Sequence, residues 1–433
     1  MRLINFVILL ILVSSCSNKY ELNFKDKQDI LRVAKSEELI EERQVQAGGY
    51  SLDDKYNLIK TRFEDKFFLK PSNNVLRYYF KDYDQQIAVI DETVFYLFYL
   101  ANMALAFDDD RFQIELSKTV DDIIQTDHLN GYDGFLPRSV ILNDDEKGLD
   151  IYPDEIHSNS YSLLMFGYYF AYNASTNEET KALIVNHIET IASYYLKNDL
   201  ALIDNEGKEI EVSNLNARHL SRELDALVIF ETAAKLASST DSHKIFKAKV
   251  NQLKDKGYIK WNKFVRFQFL NFTIPSHSSN WLNLIRLYSL SKITDEQIYY
   301  HNFKKLYNKL EKEKNPFFDA LYLEVFGESD LSKKANIEYY LNTFPIELDN
   351  SEVISSYNNK NLKLFPMIVK NHQKAEVVNP LPIYQRPLVY FEWKSNQQRI
   401  DGNWGQKGNV LFSGLDFLVL YSMYMKLNST NDK

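Results

Sequence analysis

Between Ser51 and Leu427 the chain repeats one pattern: an apolar helical run followed by a helical run with a charged face. "ETVFYLFYLANMALAF" and "SGLDFLVLYSMYM" are apolar on nearly every side and require burial on most faces. "HKIFKAKVNQLKDK" and "DEQIYYHNFKKLYNKLEKEK" carry apolar residues at three-to-four spacing with lysines between them, the mark of a helix wetted on one side. Segments with this periodicity are predicted at 51–68, 92–107, 111–126, 160–172, 179–196, 221–238, 243–256, 280–292, 294–312, 316–326, 331–342 and 413–427. Only 13 glycines and 10 prolines punctuate the 433 residues, too few for the tight turns of a β-sandwich.

Buried helices alternating with half-wetted ones are what two concentric layers need. The fold expected is mainly α, an array of antiparallel helix hairpins that resembles an (α/α)6 toroid, with a few short strands and irregular loops. A helical solenoid is the alternative, but no fixed internal period supports it. "FVRFQFLNFTI" (264–274) alternates as a strand or lid hairpin does, and the proline-bearing stretch 377–409 reads as a functional loop or clasp. "FDDDRF" (107–112) reads as a polar turn between two helices.

The N-terminus has its own grammar. Arg2 precedes an apolar run over 3–13, the layout of a secretory signal and too short to span a bilayer. Val13-Ser14-Ser15-Cys16 then resembles the lipobox of bacterial lipoproteins. The resemblance implies cleavage before Cys16 and lipidation of its thiol, and Cys16 is the sole cysteine of the chain. It follows that 1–15 is a signal peptide, 16–48 a polar tether and 49–433 one helical domain. The expected location is the bacterial cell envelope, lipid-anchored and at the outer membrane, with the membrane as a partner through the N-terminal lipid.

A net charge of −8 gives no support for nucleic-acid binding. HExxH, paired-cysteine, P-loop, G-x-S-x-G and G-x-G-x-x-G patterns are missing, and the histidines are scattered singly. No cofactor and no metal site is expected.

Four clusters carry residues suited to chemistry. The first joins "NGYDGFLPRS" to "DEIHSNSY" and holds Asp133, Arg138, Asp154, Glu155, His157, Asn159 and Tyr161, while Ser158, Asn159 or Ser160 equally suits a helix cap. In "NLNARHLSRELDAL", Arg218 pairs with Arg222 and His219 with Glu223 at i,i+4, and Arg222 with Asp225 at i,i+3. That pattern reads either as an exposed ion-pair ladder or as a site edge. "TIPSHSSNWLNL" offers His277, Asn280 and Trp281, and "YFEWKSNQQRIDGNW" offers Glu392 and Trp393.

Indole beside polar groups suits a pyranose face, so glycans are the expected ligand. A glycoside hydrolase would draw its two carboxylates from Asp133, Asp154, Glu155 and Glu392. A polysaccharide lyase would use His157, Asn159, Tyr161 and Arg218, and the ligand-binding set adds Arg138, His277, Trp281 and Trp393. The competing class is a non-catalytic glycan-binding or scaffold lipoprotein.

Overall fold

The computed structural model describes residues 48–70, 73–79, 86–128, 139–142, 149–151, 158–203, 207–210, 213–216, 220–259, 277–327, 330–346, 362–369, 372–377, 383, 393 and 412–429. Within them lie twelve α-helices. They are α1 (Leu52–Phe67), α2 (Ile90–Ala106), α3 (Asp110–His128), α4 (Ser158–Ala174), α5 (Glu178–Lys197) and α6 (Leu220–Leu236). The rest are α7 (Thr240–Asp255), α8 (His277–Ile293), α9 (Gln297–Leu310), α10 (Pro316–Phe326), α11 (Leu331–Thr343) and α12 (Leu415–Ser429). The protein is mainly helical, and every helix coincides with a segment predicted from periodicity. No described helix is long and apolar enough to cross a membrane.

Local chemistry sets the helix ends. Ser51, Asn177, Ser239 and Asp330 each accept from backbone N–H groups one turn on, satisfying donors that a helix start leaves open. Asn315 caps α10 with Pro316 at the first helical position, and Gly327 ends it at φ 96°, a backbone state that disfavours side chains.

The even-numbered helices form the interior. α2 is buried continuously from Ile90 to Met103, and α12 from Leu415 to Met423. Contacts run α2 to α4, α4 to α6, α6 to α8, α8 to α10, α10 to α12 and α12 back to α2, so the series closes on itself. Each odd-numbered helix packs on this series: α1 and α11 on α12, α3 on α2, α5 and α7 on α6, and α9 on α8. α7 buries only Phe246, Val250 and Leu253, and α9 buries Tyr299, Phe303, Leu306, Tyr307 and Leu310, each a stripe on one face.

Aromatic side chains fill the interior. Phe95 lies 5.5 Å from Trp281, 6.0 Å from Phe166 and 6.3 Å from Phe317, linking α2, α8, α4 and α10. Such offset and tilted pairs add about 0.5–1.5 kcal/mol each beyond area burial. α2 and α4 come close at Gly167, where an added Cβ would sit 2.8 Å from Val94 Cγ1.

Five short strands, β1 (Phe68–Lys70), β2 (Asn73–Tyr79), β3 (Gln86–Val89), β4 (Ser139–Leu142) and β5 (Leu149–Ile151), form an antiparallel meander in chain order. Ile87 faces Ile141 across β3–β4, and Val140 faces Ile151 across β4–β5. β3 runs directly into α2, so the sheet sits where the chain enters the interior helices. A hairpin of β6 (Leu362–Val369) and β7 (His372–Val377) follows α11. The predicted strand at 264–274 lies outside the described residues. So does nearly all of 377–409.

Candidate functional site

The end of the fold at which the interior helices begin carries a buried polar cluster. Ser158, the first residue of α4, donates through Oγ to Asp225 Oδ2 at 2.9 Å, and Ser162 Oγ, one turn on, donates to the other carboxylate oxygen. Arg286 of α8 places Nε 2.6 Å from Asp225 Oδ1, and its Nη1 donates to Asn283 Oδ1 at 2.9 Å. Asp225 is fully buried and Arg286 is 2% exposed. The guanidinium has one group to spare: Nη2 has no partner among the described residues, and neither does Ser160 Oγ. Three helices far apart in sequence are thus tied by one ion pair and two hydroxyls.

Four of the six interior helices carry buried acids in their first turns, Asp91 and Glu92 in α2, Glu223 in α6, Asp319 in α10 and Asp416 in α12, whereas α4 and α8 carry none. Carboxylates suit these positions because the helix N-terminus presents partial positive charge. Arg286 is the one buried arginine among the described residues.

The sequence candidates fall into three groups. Asp133, Arg138, Asp154, Glu155, His157, Arg218 and Glu392 lie outside the described residues. His277 is the first residue of α8, and the description stops at its backbone. Four have a described environment. Asn159 is half-buried in the first turn of α4, and its carbonyl oxygen lies 3.0 Å from Ser162 Oγ, whose proton goes to Asp225. Tyr161 is fully buried and meets Tyr195 of α5 edge-on at 5.6 Å, so it packs α4 against α5. Trp281 is buried against Phe95, and Trp393 is buried with Nε1 donating to the Asp416 carbonyl at 2.7 Å. Neither indole presents a face to solvent.

Two local expectations are corrected. Ser158 does not cap α4 but is its first residue, its hydroxyl spent on Asp225. Nor is the α6 start an exposed ladder: Glu223 and Asp225 are buried, Asp225 takes its cation from α8, and Arg222 Nη1 donates to the Asn214 carbonyl at 3.3 Å. The side chain that sequence reasoning missed is Arg286. Its signal was a lone charge inside the apolar run "NWLNLIRLYSL".

Three further networks are structural. Tyr168 of α4 meets His187 Nδ1 at 2.7 Å, and His187 Nε2 meets Asp127 Oδ2 at 3.0 Å, joining α4, α5 and α3. Burial pushes the Tyr168 hydroxyl well above its ordinary pKa, which keeps it protonated. Glu324 of α10 is held by Tyr288 Oη at 2.6 Å and Lys426 Nζ at 3.0 Å. Burial raises its pKa, and the Lys426 and Lys292 charges more than reverse this, keeping it ionised. Asp319 accepts from Tyr307 Oη at 2.5 Å and Asn336 Nδ2 at 2.7 Å. Burial lifts it to about 6, those two bonds offsetting part of the shift.

Among the described residues no group of His, Cys, Asp and Glu is arranged to hold a metal ion. Comparison of the chain with protein-family models and with curated proteins finds no match.

Proposed function

We propose that the chain is an envelope lipoprotein that binds or processes glycans, with an (α/α)6 toroid as its body. The closed series of even-numbered helices, each backed by odd-numbered ones, supports the toroid. In such a body the chemistry belongs at the end where the interior helices start, because their N-terminal turns and the connections into them converge there. The observation that carries the glycan reading is the acidic character of those turns, with Asp91 and Glu92 on one helix and Glu223 on another. Carboxylates supplied from separate helices are the equipment of general acid–base hydrolysis of a glycosidic bond.

Hydrolysis is favoured over elimination. A lyase site would combine a tyrosine, a histidine, an asparagine and an arginine, yet Tyr161 is fully buried with its ring edge-on against Tyr195 of α5. The proposed catalytic set retains Asp133, Asp154, Glu155, His157 and Glu392 and gains Glu92 and Glu223, with Arg138, Asn159, Arg218 and His277 as ligand-binding candidates, all from the connections into the interior helices or their first turns. Incubation with a panel of neutral and acidic oligosaccharides tests this. New reducing ends that disappear in E92Q, E223Q or E155Q, with helicity unchanged, support hydrolysis. Products carrying a conjugated double bond would transfer the reading to a lyase.

A second reading rests on the aromatic interior, where Phe95 packs against Phe166, Trp281 and Phe317. On that reading the acidic end only binds glycan, and calorimetry would register binding without turnover. The envelope assignment is tested separately. A clickable palmitate analogue should label the wild-type chain in cells and leave C16S unlabelled.

A further inference from the structure

The opposite end of the fold, where the interior helices finish and the outer ones begin, gathers the exposed apolar side chains. Among the described residues ten large hydrophobics are exposed, and eight of them lie at that end. Leu105 and Phe107 close α2, Phe326 closes α10, and Ile114, Ile298 and Leu331 lie in the opening turns of α3, α9 and α11. Leu331 is 77% exposed and Ile114 67%. Scattered apolar residues need no explanation, but their confinement to one face of a protein does.

These helix ends are level with one another. Lys426 near the end of α12 reaches Asn102 near the end of α2 and Glu324 near the end of α10, both at 3.0 Å. Tyr169 near the end of α4 donates to the Lys292 carbonyl at the end of α8 at 2.7 Å. The apolar side chains therefore stand on a common face. Two further observations say what covers it. The chain N-terminal to Gly48 leaves from this face, since Tyr50 and the Ser51 cap stand at the start of α1 and Asp53 receives Tyr421 Oη of α12 at 2.9 Å. The face is also acidic on balance: Asp108, Asp110, Glu179 and Asp295 are exposed between the apolar groups, beside the ion pairs Glu178–Lys181, Asp241–Lys244 and Asp109–Arg111.

The geometry points to this face as a membrane-docking surface that seats on a zwitterionic lipid layer presenting ethanolamine ammonium groups. The inference rests on the lipoprotein reading, which places a bilayer at the far end of the segment leaving this face. Apolar side chains on helix ends enter the headgroup boundary, as they do in proteins that lie on membranes. The carboxylates between them meet the outward ammonium groups and repel a layer of net negative charge. The protein therefore sits with its acidic candidate site turned away from the lipid.

The test uses the mature lipoprotein reconstituted in vesicles of phosphatidylethanolamine and phosphatidylcholine. Cys16 is the only native cysteine, so L331C provides a single site for an environment-sensitive fluorophore once Cys16 is acylated. D255C, exposed at the last residue of α7, where the outer helices finish, is the control. Quenching by spin-labelled lipid should be at least threefold stronger at position 331 than at 255, and should fall when half the lipid is phosphatidylglycerol. Equal, weak quenching at both positions overturns the inference and leaves the protein held by its tether alone. Shielding of position 331 in intact envelopes but not in vesicles also overturns it, in favour of a protein partner. The mass of the N-terminal peptide reports acylation independently. If Cys16 proves unmodified the lipoprotein reading fails, and labelled L331C in a C16S background, added to the same vesicles, still decides whether the face seats on lipid.

Discussion

Arg286 and Asp225 stand 2.6 Å apart on two neighbouring interior helices, α8 and α6, and both are buried. A buried ion pair adds little over a well-packed apolar pair, because taking two charges out of water costs several kcal/mol per ion. Removing one partner is another matter, since the remaining charge is stranded. R286M and D225N are each expected to lower stability by about 3–5 kcal/mol, and the R286M/D225N double variant by much less than their sum. Urea denaturation of the four proteins checks this. Additive losses would show that the two side chains are not coupled.

Gly167 predicts a steric result. A methyl group there meets Val94 Cγ1 at 2.8 Å and the Val94 carbonyl oxygen at 3.4 Å. G167A should therefore destabilise by about 1–3 kcal/mol despite alanine's better helix propensity. Pairing it with V94A, which removes the nearer obstacle, should recover part of the loss in a thermal melt.

The Tyr168–His187–Asp127 network should behave as a stabilising tie between layers. Y168F removes one hydrogen bond and is expected to cost about 1 kcal/mol. H187A leaves both Asp127 and Tyr168 short of a partner in the interior and should cost more, by about 1–3 kcal/mol further. Equal losses from the two variants in chemical denaturation would contradict this account.

Asp319 gives a pH signature. Its carboxyl titrates near 6 in the folded protein, against 3.8 for the free group, because burial disfavours its charge. Between those values the unfolded chain ionises first and the folded state holds the extra proton, so this group's contribution to stability falls as pH rises through the window. About two pKa units correspond to about 3 kcal/mol. D319N cannot ionise, so the stability difference, wild type minus variant, should decline by roughly that amount from pH 4 to pH 7 and be flat above. A pH-independent difference would remove Asp319 as the cause.

Much of the helical framework was legible in the sequence, and the reason is burial. α2 and α12 are apolar all round because they are enclosed, and α7 and α9 are striped because one face meets water. What lay beyond reach was partner choice. The sequence offers Arg222 to Asp225 at i,i+3, whereas the fold gives Asp225 to Arg286, which approaches from another helix. His187 sits on the same buried stripe as Ile184, Ile188 and Ile191, and nothing local tells that Asp127 and Tyr168 will meet its two nitrogens. The meander β1–β5 was equally hidden, since its strands are three to seven residues long and its β3–β4 pair forms across two intervening helices. Of the candidate site, the sequence marked the start of α4 and α6 as places where polar groups gather. The buried acids Asp91 and Glu92 were passed over, because in sequence they look like an ordinary helix opening.

Lys55 of α1 is buried and gives its ammonium group to carbonyls at the end of α11, Leu341, Asn342 and Phe344, while Tyr56 stacks on Tyr421 of α12 at 4.5 Å. These groups join the first described helix to the last two, across 286 positions in the case of Lys55 and Leu341. Every other pair of adjoining interior helices is consecutive along the chain, joined through one outer helix and its connections, but here the first and last elements meet with no such link between them. The closed series of contacts thus has one seam, stitched by side chains alone, and during synthesis it stays open until the last helix has emerged. The same seam makes the order of helices along the chain largely arbitrary: covalently joining it and cutting at an exposed turn such as Ser238–Ser239 would leave the same set of neighbours in place.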